Sequence, residues 1–298
     1  MTPLERAPDG WLPGVDLLLK REDEHELGAF KWRAAAPVVE AYRAAGSGAV
    51  VTASTGNHGA ATAWAARSCG MRALVFVPAE TSAPKLDLLH RLGAELFQVG
   101  EDLDEAKAAG MAHAAAEGLP FFEDGADPLQ YEAYGAIADE ILDQTTPGAV
   151  VVPVGNGALL AGIGGWLGQR APGVRRIGVT AAAAPVMSRS FAAGAVVESD
   201  RSATFADGMA VRVAISQAVE ALLGAADEMV EVSERSIAEA VGDFARAGMR
   251  VEGSAAASLA GARSVEDVPG PAVLIVTGRN IADDVWRRAV ERPESFAG

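Results

Sequence analysis

The run AVVVPVGNGALLAGIGGW, residues 149–166, passes from a Val-rich apolar stretch through Val154-Gly155-Asn156-Gly157 straight into an Ala- and Leu-rich segment. That order is strand, tight turn, helix. A strand apolar at every position has both faces buried, as in a parallel sheet, and a parallel sheet needs crossover helices between its strands. Outward from this run the same alternation recurs. Strands are expected at Ala49–Thr52, Ala73–Val77, Glu95–Val99, Ala149–Val154, Arg176–Thr180 and Val273–Val276, with helical segments between them. Gly70 and Gly93 stand where left-handed helix stops are wanted, and Pro78 closes a strand where its missing N–H costs little. The fold class is therefore α/β. At 298 residues two lobes are expected: a small one of residues 48–128, and a large one of residues 1–47 and 129–298.

Composition narrows the function classes. Lys and Arg number 25 against 40 Asp and Glu, giving a formal charge of -15. That disfavours nucleic acid and anionic lipid surfaces, which are bound through clustered cations. An anionic ligand would have to be held by local donors. One cysteine, Cys69, excludes an intramolecular disulfide framework, and the start MTPLERAPDGWLPG lacks the basic and apolar runs of a signal peptide. Apolar stretches are broken well before the roughly 20 residues of a membrane span. A cytoplasmic protein without membrane or nucleic-acid partners is expected.

Four segments carry chemistry. In LLLKREDEHELGAFKWRAAAPVV a polar stretch ends at Gly28 and a helix is expected to begin around Phe30 and Lys31. A helix N-terminus and apolar neighbours both disfavour an ammonium, which suits a lysine to Schiff-base formation. A solvated lysine on an amphipathic helix is the competing interpretation. In VVTASTGNHGAATAWAARSCG a strand delivers Ser54, Thr55, Gly56, Asn57 and His58 to a helix start, where hydroxyls, an amide and exposed N–H groups form a receptor for a carboxylate. A turn with a Ser or Thr cap accounts for such a junction equally well on local grounds. Gly155, Asn156, Gly157, Ala158 and Leu159 open the helix of the first-quoted run, and their N–H groups can converge on a phosphate. The glycine spacing is not that of a dinucleotide fingerprint. Finally PAVLIVTGRNIADD ends an apolar strand at Thr277, whose hydroxyl can hydrogen-bond a ring nitrogen without fully protonating it.

Taken together, in this order from Thr2-Pro3-Leu4 onward, these segments resemble the fold-type II pyridoxal phosphate enzymes: serine and threonine ammonia-lyases, serine racemase and threonine synthase. The lysine motif is Gly28-Ala29-Phe30-Lys31, the asparagine loop Ser54-Thr55-Gly56-Asn57-His58, the phosphate loop Gly155-Asn156-Gly157-Ala158-Leu159, and the ring-nitrogen turn Thr277-Gly278-Arg279-Asn280. Ala206-Asp207-Gly208 and Glu252-Gly253-Ser254 also match. The resemblance implies a tryptophan synthase β-like fold of two lobes of parallel-rich open sheets with helices on both faces and pyridoxal 5'-phosphate between them. The large lobe would bind the cofactor and the small, mobile one would carry the asparagine loop.

The resemblance also implies site roles. Lys31 would form the Schiff base and serve as base, and Thr55 would offer a hydroxyl on the second face. Phe30, Asn57, Gly155 to Leu159 and Thr277 would contact the cofactor, and Ser54, Thr55, Gly56, Asn57 and His58 would hold a small amino-acid substrate. Ala181-Ala182-Ala183-Ala184-Pro185 carries no carboxylate where several relatives bind a divalent metal, so no metal is expected. The expected activity is β-elimination from a small β-hydroxy L-amino acid such as serine or threonine. Threonine synthase-like replacement, racemisation and a non-catalytic cofactor-binding protein are the alternatives. Relatives of this fold are often homodimers, and the same is expected here.

Overall fold

The computed structural model describes residues 1–198 and 202–296. The chain forms two compact units, Met1–Phe30 with Tyr134–Gly298, and Lys31–Ala133. The strands are β1 (Leu4–Arg6), β2 (Leu17–Arg21), β3 (Ala49–Ala53), β4 (Arg72–Val77), β5 (Ala94–Gln98), β6 (Ala149–Pro153), β7 (Arg175–Ala181), β8 (Glu228–Val232) and β9 (Ala272–Val276). The helices are α1 (Trp32–Ala44), α2 (Asn57–Ser68), α3 (Ala83–Arg91), α4 (Leu103–Glu117), α5 (Pro128–Leu142), α6 (Ala158–Arg170), α7 (Val186–Ala193), α8 (Ser216–Ala225), α9 (Glu234–Arg246), α10 (Gly253–Ser264) and α11 (Asp283–Glu291). The fold is α/β, as the alternation of apolar runs and helices predicts.

The larger unit is built on one sheet of order β1-β2-β9-β6-β7-β8, parallel except for β1. Its centre is β9, which pairs Leu274 with Leu19 on one side and with Val151 on the other. All five residues of β9 are buried. Burying a Val, Leu or Ile side chain contributes about 1.5–3 kcal/mol, so this strand anchors the sheet. The small-residue helix α10, buried along Gly253–Ala262, packs on β6, β7, β8 and β9. Glycine and alanine let it approach the sheet closely.

Charged pairs lie inside this unit, and the most deeply buried cation among the described residues is Lys20. Lys20 of β2 is fully buried and bonds to Glu140 of α5 and to the carbonyl of Thr2, while the Thr2 hydroxyl donates to Glu22 at 2.5 Å. A buried ammonium persists only when paired in this way.

The smaller unit has the parallel sheet β3-β4-β5, with β4 in the middle. Val51, Leu74, Phe76, Ala106 and Ala114 form its core, and Phe76 stacks on Phe97 at 4.7 Å. Asp102 caps α4 by accepting from the Glu105 N–H at 3.0 Å, and Gly118 ends that helix with φ of 64°.

Two differences from the sequence expectation concern boundaries. The smaller unit begins at Lys31 rather than residue 48, because α1 packs along α2, and it runs to Ala133 rather than 128, inside α5. Strands β1, β2 and β8 were also not expected. They carry charged residues at Glu5, Arg6, Lys20, Arg21, Glu228 and Glu231, which break the apolar runs that betray the other strands.

Candidate active site

In the smaller unit, β3 ends at Ala53 and the chain turns through Ser54, Thr55 and Gly56 into α2. The Ser54 hydroxyl accepts from the Gly56 N–H at 3.2 Å, and Gly59 lies so close to the Ser54 carbonyl that a Cβ there would sit 2.6 Å from it. The loop is thereby drawn tightly over the first turn of the helix. Ser54, Thr55 and Asn57 are half-buried and Gly56 is exposed. A helix's own ladder does not use its first N–H groups, which is why a carboxylate is best received at such a start.

Lys31 is the N-cap residue of α1 and is 14% exposed at its side chain. Its Nζ donates to both carboxylate oxygens of Asp124, at 2.8 and 2.6 Å. The expectation of apolar neighbours is corrected here: the ammonium faces an acid. Nothing in the sequence pointed to Asp124, which lies 93 positions away and belongs to none of the motifs. The one available signal was the acidic pair Glu123-Asp124 directly after Phe121-Phe122.

Asp124 is held from both sides. Phe122 N–H donates to Val51 at 2.7 Å and the Thr52 hydroxyl to the Phe122 carbonyl at 2.9 Å, which ties the preceding residues to β3. Gly125 donates to the Gln130 side chain at 2.7 Å and its carbonyl accepts from Tyr131 at 2.5 Å.

His58, expected at the substrate carboxylate, is instead 6% exposed and turned inward. Its Nε2 is 3.2 Å from the Phe122 carbonyl and its Nδ1 is 3.7 Å from Asp124. A carbonyl only accepts, so Nε2 carries the proton and Nδ1 faces the acid. Burial holds this imidazole below its ordinary value of 6.5; the charge of Asp124 opposes that and the charge of Lys31 adds to it.

The folded protein thus takes this proton less readily than the unfolded chain, and stability falls as pH drops below 6.5. The slope is at most about 1.4 kcal/mol per pH unit. Melting curves at pH 7, 6 and 5 should show a shallower loss for His58→Gln than for the unsubstituted protein. Equal slopes would place the source elsewhere.

In the larger unit, β6 leads through Val154, Gly155 and Asn156 to Gly157, whose φ of 94° opens α6. The Asn156 side chain accepts from the Ala158 N–H at 3.1 Å, which occupies one of the expected phosphate donors. Gly157 and Leu159 keep first-turn positions. A Cβ on Gly155 would sit 2.1 Å from the carbonyl of Gly208, so Ala206-Asp207-Gly208 lies directly against the loop.

Thr277 leaves the end of β9 with its hydroxyl buried and without a hydrogen-bond partner among the described residues, and the Ser254 hydroxyl at the start of α10 is likewise buried and without one. The Glu252 N–H bonds to Gly278, the Phe30 N–H to the Thr277 carbonyl at 3.0 Å, and the Arg279 N–H to Gly28 at 2.9 Å. Gly28 takes φ of 66°, and a Cβ there would meet Asn280 at 2.7 Å. The segment that leads into Lys31 is therefore stitched to the turn that carries Thr277.

A buried hydroxyl without a protein partner, a glycine pressed on a neighbouring backbone and a glycine-initiated helix fit a phosphorylated heteroaromatic group. Leaving a buried hydroxyl unsatisfied costs about 1–3 kcal/mol, which a ring nitrogen would recover. Among the described residues no group of three His, Cys, Asp or Glu side chains gathers as a metal site would require.

Comparison with known proteins agrees with this geometry. The L-threonine ammonia-lyase of Geobacter sulfurreducens is 35% identical over 290 residues, covering 96% of this chain and 72% of that protein. The biosynthetic L-threonine dehydratase of Pasteurella multocida is 31% identical over 288 residues, covering 94% of this chain but only 56% of its own length. The structure of the processed form of threonine deaminase isoform 2 from Solanum lycopersicum superposes with a TM-score of 0.92 at 30% identity, over 100% of this chain and 88% of that one. The family model described as pyridoxal-phosphate dependent enzyme matches residues 1–278, and the chain belongs to that family.

Proposed function

We propose that this protein is a pyridoxal phosphate-dependent ammonia-lyase that removes the β-hydroxyl of a small L-amino acid, serine or threonine, releasing ammonia and a keto acid. The observation that carries the proposal is the buried, unpartnered hydroxyl of Thr277 at the end of β9. A hydroxyl leaves a pyridine nitrogen largely neutral, which favours prompt loss of a β-substituent over a long-lived carbanion. When bound, the cofactor supplies an electron-poor ring conjugated to the substrate nitrogen.

The chain's own residues do the rest. Gly155, Asn156, Gly157 and Leu159 hold the phosphate at the start of α6, beside the Ala158 N–H that Asn156 occupies, with about 1.5–3 kcal/mol from each charge-assisted bond outweighing the net negative charge. Lys31 anchors the cofactor covalently and takes the α proton. Ser54, Thr55, Gly56 and Asn57 receive the substrate carboxylate, Asn57 contacts the ring oxygen, Thr55 presents its hydroxyl to the face opposite Lys31, and Phe30 lies against the cofactor. His58 supports this loop from beneath.

We further propose a cytoplasmic homodimer acting on free amino acids. The charge of -15 supports the absence of nucleic-acid partners. No helix is long and apolar enough to cross a membrane among the described residues.

The test is to supply pyridoxal phosphate and L-serine or L-threonine and measure ammonia, keto acid and amino-acid configuration together. Equimolar ammonia and keto acid are expected. D-serine without keto acid would replace elimination by racemisation, and a product that requires a second nucleophile would indicate β-replacement.

A further inference from the structure

We infer that Asp124 is a positioning residue for Lys31: it binds Nζ when the lysine is not joined to the cofactor, and it stabilises the ammonium that Lys31 becomes on taking the α proton. The role rests on the proposed function and names a residue that none of the sequence motifs contains.

The geometry is specific. Nζ meets both oxygens of one carboxylate, at 2.8 and 2.6 Å, in a partly buried setting where charge-assisted bonds are strong. Asp124 cannot swing away freely, because Phe122 is bonded to β3 on one side and Gly125 to Gln130 on the other. His58 closes the back of the acid with Nδ1 at 3.7 Å. Within this unit the other charged or titratable groups around the pair are Glu123, which is occupied by Lys107 at 2.6 Å, Asp127, which accepts from Tyr42 at 3.3 Å, and Tyr131, pushed up to about 12 chiefly by burial. Asp124 reaches Nζ with both of its oxygens.

In the reaction, Lys31 would have to be released from the cofactor by the substrate amine before its Nζ could act as base. The Cα–H bond then breaks and an Nζ–H bond forms. The C–H electron pair becomes the Cα–Cβ double bond, the Cβ–O pair departs with the oxygen, and the proton carried by Nζ passes to that oxygen so that water leaves. The ammonium made in the first step lies against Asp124, whose charge stabilises it and speeds proton removal. The same bonds slow the opposite event: Nζ must leave both oxygens of Asp124 before it can attack the cofactor aldehyde.

Asp124→Asn therefore has effects of opposite sign. At pH 7, capture of added pyridoxal phosphate on Lys31, trapped with borohydride and quantified by mass spectrometry of the modified peptide, should be about tenfold faster than in the unsubstituted protein. Turnover of the loaded variant should be about tenfold slower or more, with KM little changed and a larger isotope effect for α-deuterated substrate. Asp124→Glu should recover part of both. Slower capture together with slower turnover would reveal a merely structural residue and overturn the role, as would no change in either. Absence of any adduct on Lys31 in the unsubstituted protein would remove the proposed function itself. Adduct formation with unchanged kinetics in the variant would remove only Asp124.

Discussion

Lys31→Ala is expected to lower keto-acid formation by at least about 10³-fold while the protein still folds. The loss is large because one nitrogen serves twice, as the covalent anchor and as the base. An alanine replaces neither function, and a bound cofactor left without its anchor has no group positioned to take the α proton. The fold should survive, since Lys31 makes no side-chain capping bond to α1 and its aliphatic stem is the main packing lost. The residues flanking Asp124 keep their ties to β3 and Gln130, and at 27% side-chain exposure the carboxylate that loses this cation is still reached by water. A melting temperature within about 5 °C of the unsubstituted protein is the matching expectation. Near-normal turnover in a folded variant would sink the mechanism, whereas an unfolded variant would shift the decision to Lys31→Arg, which keeps the charge and forms no Schiff base.

What the sequence shows of this molecule divides along a physical line. Strands such as β6 and β9 are legible because both faces are buried and every position is apolar, and the glycines at 70 and 93 take positive φ where helix stops are expected. The strand β2 is not legible, because LLLKR places a lysine and an arginine in the interior, and only the fold brings Glu140 to Lys20 and Asp23 to Arg21. The same reason hides Asp124. Its partner Lys31 is remote in sequence, and an acid after two phenylalanines has no local period to betray it. His58 shows the converse: its place in a recognisable loop suggested an outward, substrate-facing ring, but its position on the buried face of α2 turns the ring toward Phe122 and Asp124. Motifs locate the segments, while the direction in which each side chain points is decided by packing with residues far along the chain.

Gly155→Ala carries the second large expected effect, and it tests the phosphate loop separately from the lysine. The added Cβ would stand 2.1 Å from the carbonyl oxygen of Gly208, about 1 Å closer than such atoms approach, and both partners are backbone. Either the loop or the Ala206-Asp207-Gly208 segment must move, at a cost of about 3 kcal/mol if neither can relax. Movement of the loop also rotates the N–H groups of Gly157 and Leu159 away from their common focus. Losing one charge-assisted bond to the phosphate weakens binding by about 10- to 100-fold, since each is worth about 1.5–3 kcal/mol. Gly165→Ala is the internal contrast: it lies on the same helix, a Cβ there meets nothing within 4 Å, and alanine in a helix is favoured over glycine by up to about 1 kcal/mol. Titration with pyridoxal phosphate, followed by the visible absorbance band, should therefore show weaker binding for Gly155→Ala and unchanged binding for Gly165→Ala, with melting temperatures moving in opposite directions. Unchanged affinity in Gly155→Ala would mean that the phosphate is held elsewhere, and that the close contact between the loop and Gly208 serves the sheet alone.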